Sequence, residues 1–172
     1  MFLTMKTSSK KIIGTTIAVL AIIGALVFFV GSGNGKEKLP TERGEFSSLR
    51  AQENYYDFGS VSMKNGKVPH VFKIKNEGNL PVVISKLYTS CMCTSASLST
   101  SEGEIGPFGM QGHGFIPTID RVVKPGEEFS VRAVFDPAAH GPAGIGRIER
   151  VVFLESEKGG TFQLGFSATV TP

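Results

Sequence analysis

Near its C-terminal end the chain alternates apolar and polar residues with strict period two. Phe162, Leu164, Phe166, Ala168 and Val170 interleave with Gln163, Gly165, Ser167, Thr169 and Thr171. Successive strand residues face opposite sides, whereas a helix needs apolar residues three and four apart, so this pattern calls for a half-buried β-strand. The same period recurs in Phe129, Val131, Ala133 and Phe135, and in Phe72 and Ile74 between Val71, Lys73 and Lys75. Segments 82–89 and 147–154 are rich in β-branched and apolar residues. Turn chemistry separates the runs at Asn65-Gly66, Asn76-Glu77-Gly78-Asn79, Pro125-Gly126 and Gly159-Gly160. No window beyond residue 46 carries a capped amphipathic helix. Residues 47–172 are therefore predicted to be all-β, an immunoglobulin-like antiparallel β-sandwich of about seven strands, with a barrel as the alternative.

The N-terminal part is of another kind. Ile12 to Val30 is a run of nineteen residues without a charge. As a helix it would span about 28 Å, close to the ~30 Å hydrocarbon core of a bilayer. Lys6, Lys10 and Lys11 precede it, whereas the charges that follow are mixed, so residues 1–11 are expected in the cytoplasm and residues 31–172 outside. A cleaved leader is the competing reading, but the apolar run is long for one and Val30-Gly31-Ser32-Gly33 is a poor cleavage site. Residues 31–46, rich in Gly and charge, read as a flexible spacer.

The net charge of +3 lies in those three lysines. Over the rest of the chain Lys and Arg equal Asp and Glu in number, which argues against nucleic-acid binding. Two cysteines are too few for a disulfide framework. No phosphate loop, dinucleotide fingerprint, G-x-S-x-G elbow or C-x-x-C pair is present, so no catalytic residue is assigned and the chain is expected not to be an enzyme.

Four segments follow one another in order: Tyr56-Asp57-Phe58-Gly59, Phe72-Lys73-Ile74-Lys75-Asn76-Glu77-Gly78, Thr89-Ser90-Cys91-Met92-Cys93-Thr94 and Lys124-Pro125-Gly126. This set resembles the bacterial family called domain of unknown function 1573 (DUF1573), itself similar to PapD-like and cilia-associated immunoglobulin-like domains. The resemblance covers roughly residues 50–136 and implies an exported immunoglobulin-like fold with no assigned biochemical function. Two departures stand out. Met92 occupies a position between the cysteines that the family usually gives to Gly, and a long insertion replaces a compact connection before Pro125-Gly126.

That insertion, read as a loop over 99–122, has no strand-like alternation and holds Met110 and His113. A second glycine-rich stretch, 136–146, holds His140. If Cys91 and Cys93 lie on an extended segment, both side chains project from one face and can converge on one ion. Cys91, Cys93, Met110, His113 and His140 are thus the candidate metal ligands, suited to copper as Cu(I), or to zinc through the Cys and His subset. The plainer alternatives are buried thiols, a methionine filling the core, solvated loop histidines and a tight Cys91–Cys93 disulfide. His70 is left outside the site.

The expectation is a single-pass, membrane-anchored extracytoplasmic module. It would bind a protein partner through end loops or an edge strand, or serve envelope structure, without catalysis. The alternatives are an envelope metal-binding protein using Cu(I) or Zn, and a thiol redox protein.

Overall fold

The computed structural model describes residues 46–172. The basic tail, the apolar run 12–30 and the spacer up to residue 45 lie outside the described residues. Phe46, expected to close the spacer, is instead buried in the core.

The alternating runs are strands, as their period requires. In chain order they are β1 (Leu49–Ala51), β2 (Tyr55–Ser62), β3 (Val68–Asn76), β4 (Val82–Ile84), β5 (Lys86–Thr89), β6 (Thr94–Thr100), β7 (Gly103–Phe108), β8 (Arg121–Val123), β9 (Glu128–Phe135), β10 (Gly146–Glu155) and β11 (Thr161–Thr171). A five-stranded sheet has the order β1-β3-β9-β6-β7, and a four-stranded sheet the order β2-β11-β10-β5. A small pair, β4-β8, completes an all-β, mostly antiparallel sandwich. Among the described residues no helix is long and apolar enough to cross a membrane.

Three sequence expectations need correction. Among the described residues the strands number eleven rather than about seven, because β1, β4 and β8 have three residues each, too few to display a period. The pairing is not wholly antiparallel: β2 runs parallel to β11, with Tyr56 opposite Phe166 and Ser62 opposite Thr171. The insertion 99–122 is not a structureless loop, since β7 folds back on β6 as a hairpin pairing Leu98 with Ile105 and Thr100 with Gly103. Gly103, Gly106 and Pro107 hide that strand from a periodicity search, because β7 lies on a sheet edge with little to bury.

The core lies between the two large sheets. Phe72, Ile74, Leu98, Val131, Ala133 and Phe135 face Leu87, Val152, Leu154, Leu164, Phe166 and Ala168, all buried. Phe58 meets Phe166 edge to face, with ring centroids 5.4 Å apart. Full burial of such side chains stabilises by about 1.5–3 kcal/mol apiece, so the two inner faces supply the main drive to fold.

At one end of the sandwich the last residue of β3, Asn76, is fully buried. Its Nδ2 donates to the carbonyls of Leu80 (2.9 Å), Val123 (3.2 Å) and Lys124 (3.3 Å). Its Oδ1 accepts from Ser48 Oγ and the Gly78 amide, each at 3.0 Å. Its main chain pairs with Glu127 and Gly126. The glycine two residues on is there for space: a Cβ on Gly78 would lie 2.8 Å from Ser48 Cβ. The Asn-x-Gly turn is thus a hub that ties three connections to the end of β3.

Candidate metal centre

At the other end, the chain passes from one sheet to the other between β5 and β6, through Ser90-Cys91-Met92-Cys93. Crossing in so few residues forces a turn, and neighbours hold it. The buried Thr89 hydroxyl faces the carbonyls of Cys91 (2.9 Å) and Thr94 (3.0 Å), able to donate to either. The Thr94 amide donates to the Cys91 carbonyl at 3.1 Å, and the Asp136 amide to the Cys93 carbonyl at 2.8 Å. Ser90 and Val151 exchange two hydrogen bonds, each 2.9 Å, which pins the turn to β10. The cysteines therefore meet on a turn and not on the extended segment expected. The outcome for the sulfurs is the same: the Cα atoms stand 5.3 Å apart and the two sulfurs are joined as a disulfide.

A third donor arrives from the glycine-rich stretch after β9. The Asp136 side chain accepts from the Ala138 amide at 3.0 Å, and the Gly141 amide donates to the Ala138 carbonyl at 2.9 Å. These contacts coil the chain so that His140 Nε2 stands 3.2 Å from Cys91 Sγ. Gly144 gives the imidazole room, since a Cβ there would lie 3.1 Å from His140 Cβ and 3.9 Å from the Met63 methyl. One ligand atom from each of Cys91, Cys93 and His140 lies within 4.8 Å of the others. The cysteines are buried and the histidine is exposed, so the cluster opens to solvent on the imidazole side.

The remaining candidates are placed differently. Met110 is half-buried and its backbone bridges to Thr89, two residues before Cys91. His113 donates its amide to the Met110 carbonyl at 3.2 Å in an exposed turn and is not part of the cluster. The loop beyond is drawn elsewhere, with the Ile119 amide donating to Ser85 at 2.8 Å. His70 lies on β3, stacked on Tyr56 with centroids 3.7 Å apart and 2.9 Å from Glu53.

One residue escaped the sequence reading. Arg150 Nε donates to Cys93 Sγ at 3.2 Å, and Nη1 donates to the Glu149 carbonyl at 2.7 Å. The signal was there to be read: Arg150 falls in the inward phase of β10, in step with the buried Val152 and Leu154 and opposite the buried Phe166. An arginine in an apolar register needs a partner, and here that partner is a sulfur.

Chemically, a dithiol with an adjacent imidazole is a ligand set for Zn²⁺ or for copper as Cu(I). The cluster has the geometry to bind such an ion once the sulfurs are free.

Residues 49–109 match the family described as "Protein of unknown function (DUF1573)", a stretch that includes both cysteines but neither His140 nor Arg150. The match covers about a third of the chain and falls on the family that its motifs resemble. No curated protein matches the chain. Among solved structures, one of a protein of unknown function from Porphyromonas gingivalis is similar at 16% identity, with TM-score 0.49, over 70% of this chain and 46% of that one. The YadV chaperone is similar at 10% identity (TM-score 0.34; 73% and 52%), and the periplasmic chaperone SfaE at 8% (TM-score 0.36; 72% and 57%). The chain spans about half the length of these proteins.

Proposed function

We propose that this chain is a membrane-anchored, extracytoplasmic metal-binding protein with an immunoglobulin-like domain. Cys91, Cys93 and His140 would hold a soft ion, Cu(I) or Zn²⁺, without catalysis. The observation that carries this reading is the gathering of three strong donors within 4.8 Å at one end of the sandwich. They come from two connections far apart in sequence, which the packing of the sheets alone does not require. The anchor and the outward placement rest on the uncharged run 12–30 and the three lysines before it.

The Cys91–Cys93 bond supports a second reading, a thiol redox module. The two readings share one chemical step. A thiol reductant transfers two electrons and two protons to the disulfide, leaving two Cys thiols and the reductant as its own disulfide. Loading an ion on the dithiol then releases the two thiol protons.

The test is metal content. Full-length protein, reduced and purified anaerobically in mild detergent, should carry or take up one Cu(I) or Zn²⁺ per chain. The double variant Cys91→Ser/Cys93→Ser should take up none, and His70→Ala should match the wild type. Wild-type protein that takes up neither ion leaves the redox module, or an end-loop and edge-strand partner module, as the function.

A further inference from the structure

The metal reading leaves open which ion the centre prefers, and Arg150 bears on that choice. It is half-buried, sits opposite Phe166 in the strand register, and contacts one sulfur and one backbone carbonyl. Among the described residues no carboxylate lies within ion-pair distance of its guanidinium. A cation placed there without an acid partner favours a site that is itself anionic when filled.

The charges then separate the two ions. Two thiolates with Zn²⁺ form a neutral group, so Arg150 would leave the centre with one positive charge. Two thiolates with Cu(I) carry one negative charge, which Arg150 cancels. The donor count points the same way. Cysteine and histidine supply three ligand atoms and, among the described residues, no carboxylate joins them, whereas protein-bound Zn²⁺ ordinarily takes four donors and Cu(I) accepts fewer.

Resting on the metal reading above, we propose that Arg150 is the residue that makes this centre selective for Cu(I) over Zn²⁺, by donating to Cys93 and balancing the charge of a bis-thiolate Cu(I) complex. It acts on the ion through the sulfur and is not itself a ligand. The proposal asks for the same effect from the charge in Arg150→Lys, reduced in size because an ammonium lacks the rigid fork that reaches sulfur and carbonyl together.

The experiment measures both affinities on reduced, full-length protein under argon. Cu(I) is titrated against a chromophoric Cu(I) chelator and Zn²⁺ against a chromophoric Zn²⁺ chelator, for wild type, Arg150→Gln and Arg150→Lys. Thiolates bind Cu(I) tightly whatever surrounds them, so the diagnostic quantity is the change in the ratio of the two affinities. Arg150→Gln should lower the Cu(I) affinity by ~10-fold and leave Zn²⁺ unchanged or tighter, the lysine variant falling between. Equal weakening of both ions, or an unchanged ratio, would overturn the proposal while sparing the metal reading. No uptake of either ion by wild type would sink the metal reading itself. Should the glutamine variant unfold by circular dichroism, Arg150→Lys decides: a ratio moved toward Zn²⁺ supports the proposal and an unmoved one overturns it.

Discussion

Strand β9 begins beside Asn76 and ends beside Cys93, so its eight residues, roughly 26 Å of extended chain, join two polar clusters at opposite ends of the sandwich. At the Asn76 end every polar atom of the asparagine side chain and backbone is paired with protein, and the residue is closed to water. At the Cys93 end two sulfurs face an exposed imidazole and a guanidinium that meets no carboxylate among the described residues. Both clusters are encoded by short motifs that look equally telling in sequence. Saturation distinguishes them. A hub whose donors and acceptors are all consumed can only hold the fold together, whereas donors converging with capacity to spare can take a ligand.

If that contrast is sound, damage at the two ends should separate into loss of stability and loss of binding. The largest effect is expected at the hub. Asn76→Ala removes five side-chain hydrogen bonds, to the carbonyls of Leu80, Val123 and Lys124 and from Ser48 and Gly78, and should destabilise by about 3 kcal/mol in urea denaturation, with metal stoichiometry unchanged in the folded protein. A weakened metal site of similar stability would break the comparison.

At the centre, His140→Ala should do the reverse. Metal affinity should fall by at least ~10-fold in chelator competition, while stability stays within about 0.5 kcal/mol of wild type because the side chain is exposed.

Acid sharpens the contrast at the hub. For Glu127, burial raises the carboxyl pKa, but hydrogen bonds from Ser101 and Lys124 outweigh it and hold the group below its ordinary value of 4.5. Its two oxygens accept from the Ser101 amide at 2.9 Å and the Lys124 amide at 2.8 Å. A depressed folded pKa means the ionised group stabilises above the unfolded value, and that contribution is lost as pH falls through the lower folded value. Denaturation of wild type and Glu127→Gln should therefore differ at pH 6 and converge as the pH is lowered below 4.5. A gap that persists in acid would assign the effect to packing.

The smallest effect belongs to Gly144→Ala. The added methyl crowds His140 Cβ, which can yield because the imidazole is exposed. Stability should stay within about 0.5 kcal/mol of wild type, with metal affinity down about threefold. Unchanged affinity would show that the imidazole reaches the ion without that backbone position.

Periodicity was legible wherever strands were long enough to carry it. Phe129 to Phe135 and Leu164 to Val170 are buried on the phase their alternation implies. Ser167 is the exception: its outward phase is also buried, because β2 flanks β11 and Tyr55 covers the neighbouring Gly165. The site was legible in part. A Cys-x-Cys pair converges whether extended or turned, and glycine beside His140 marks close backbone approach. The choice among loop donors was not legible. Met110 and His140 both follow strands, but the end of β7 is tied to Thr89, ahead of the turn, whereas the end of β9 is tied to Cys93 itself through the Asp136 amide, and His113 turns back on Met110. Arg150 was not legible because a charge beside Arg147 and Glu149 is usually assigned to the solvent face, although its phase said otherwise.

The cysteine turn gathers His140, 49 residues beyond Cys91, and Arg150, 57 residues beyond Cys93. Closing loops of that length costs entropy that only the docked strands repay, so these contacts form late in folding. Before β9 and β10 have docked, the two cysteines stand without His140 and Arg150. The complete set of donors, with the arginine that tunes it, appears only when the sandwich closes. On the metal reading, tight one-to-one loading would double as a report that the domain has finished folding, and an ion supplied early would meet a weaker chelate than the one it ends in.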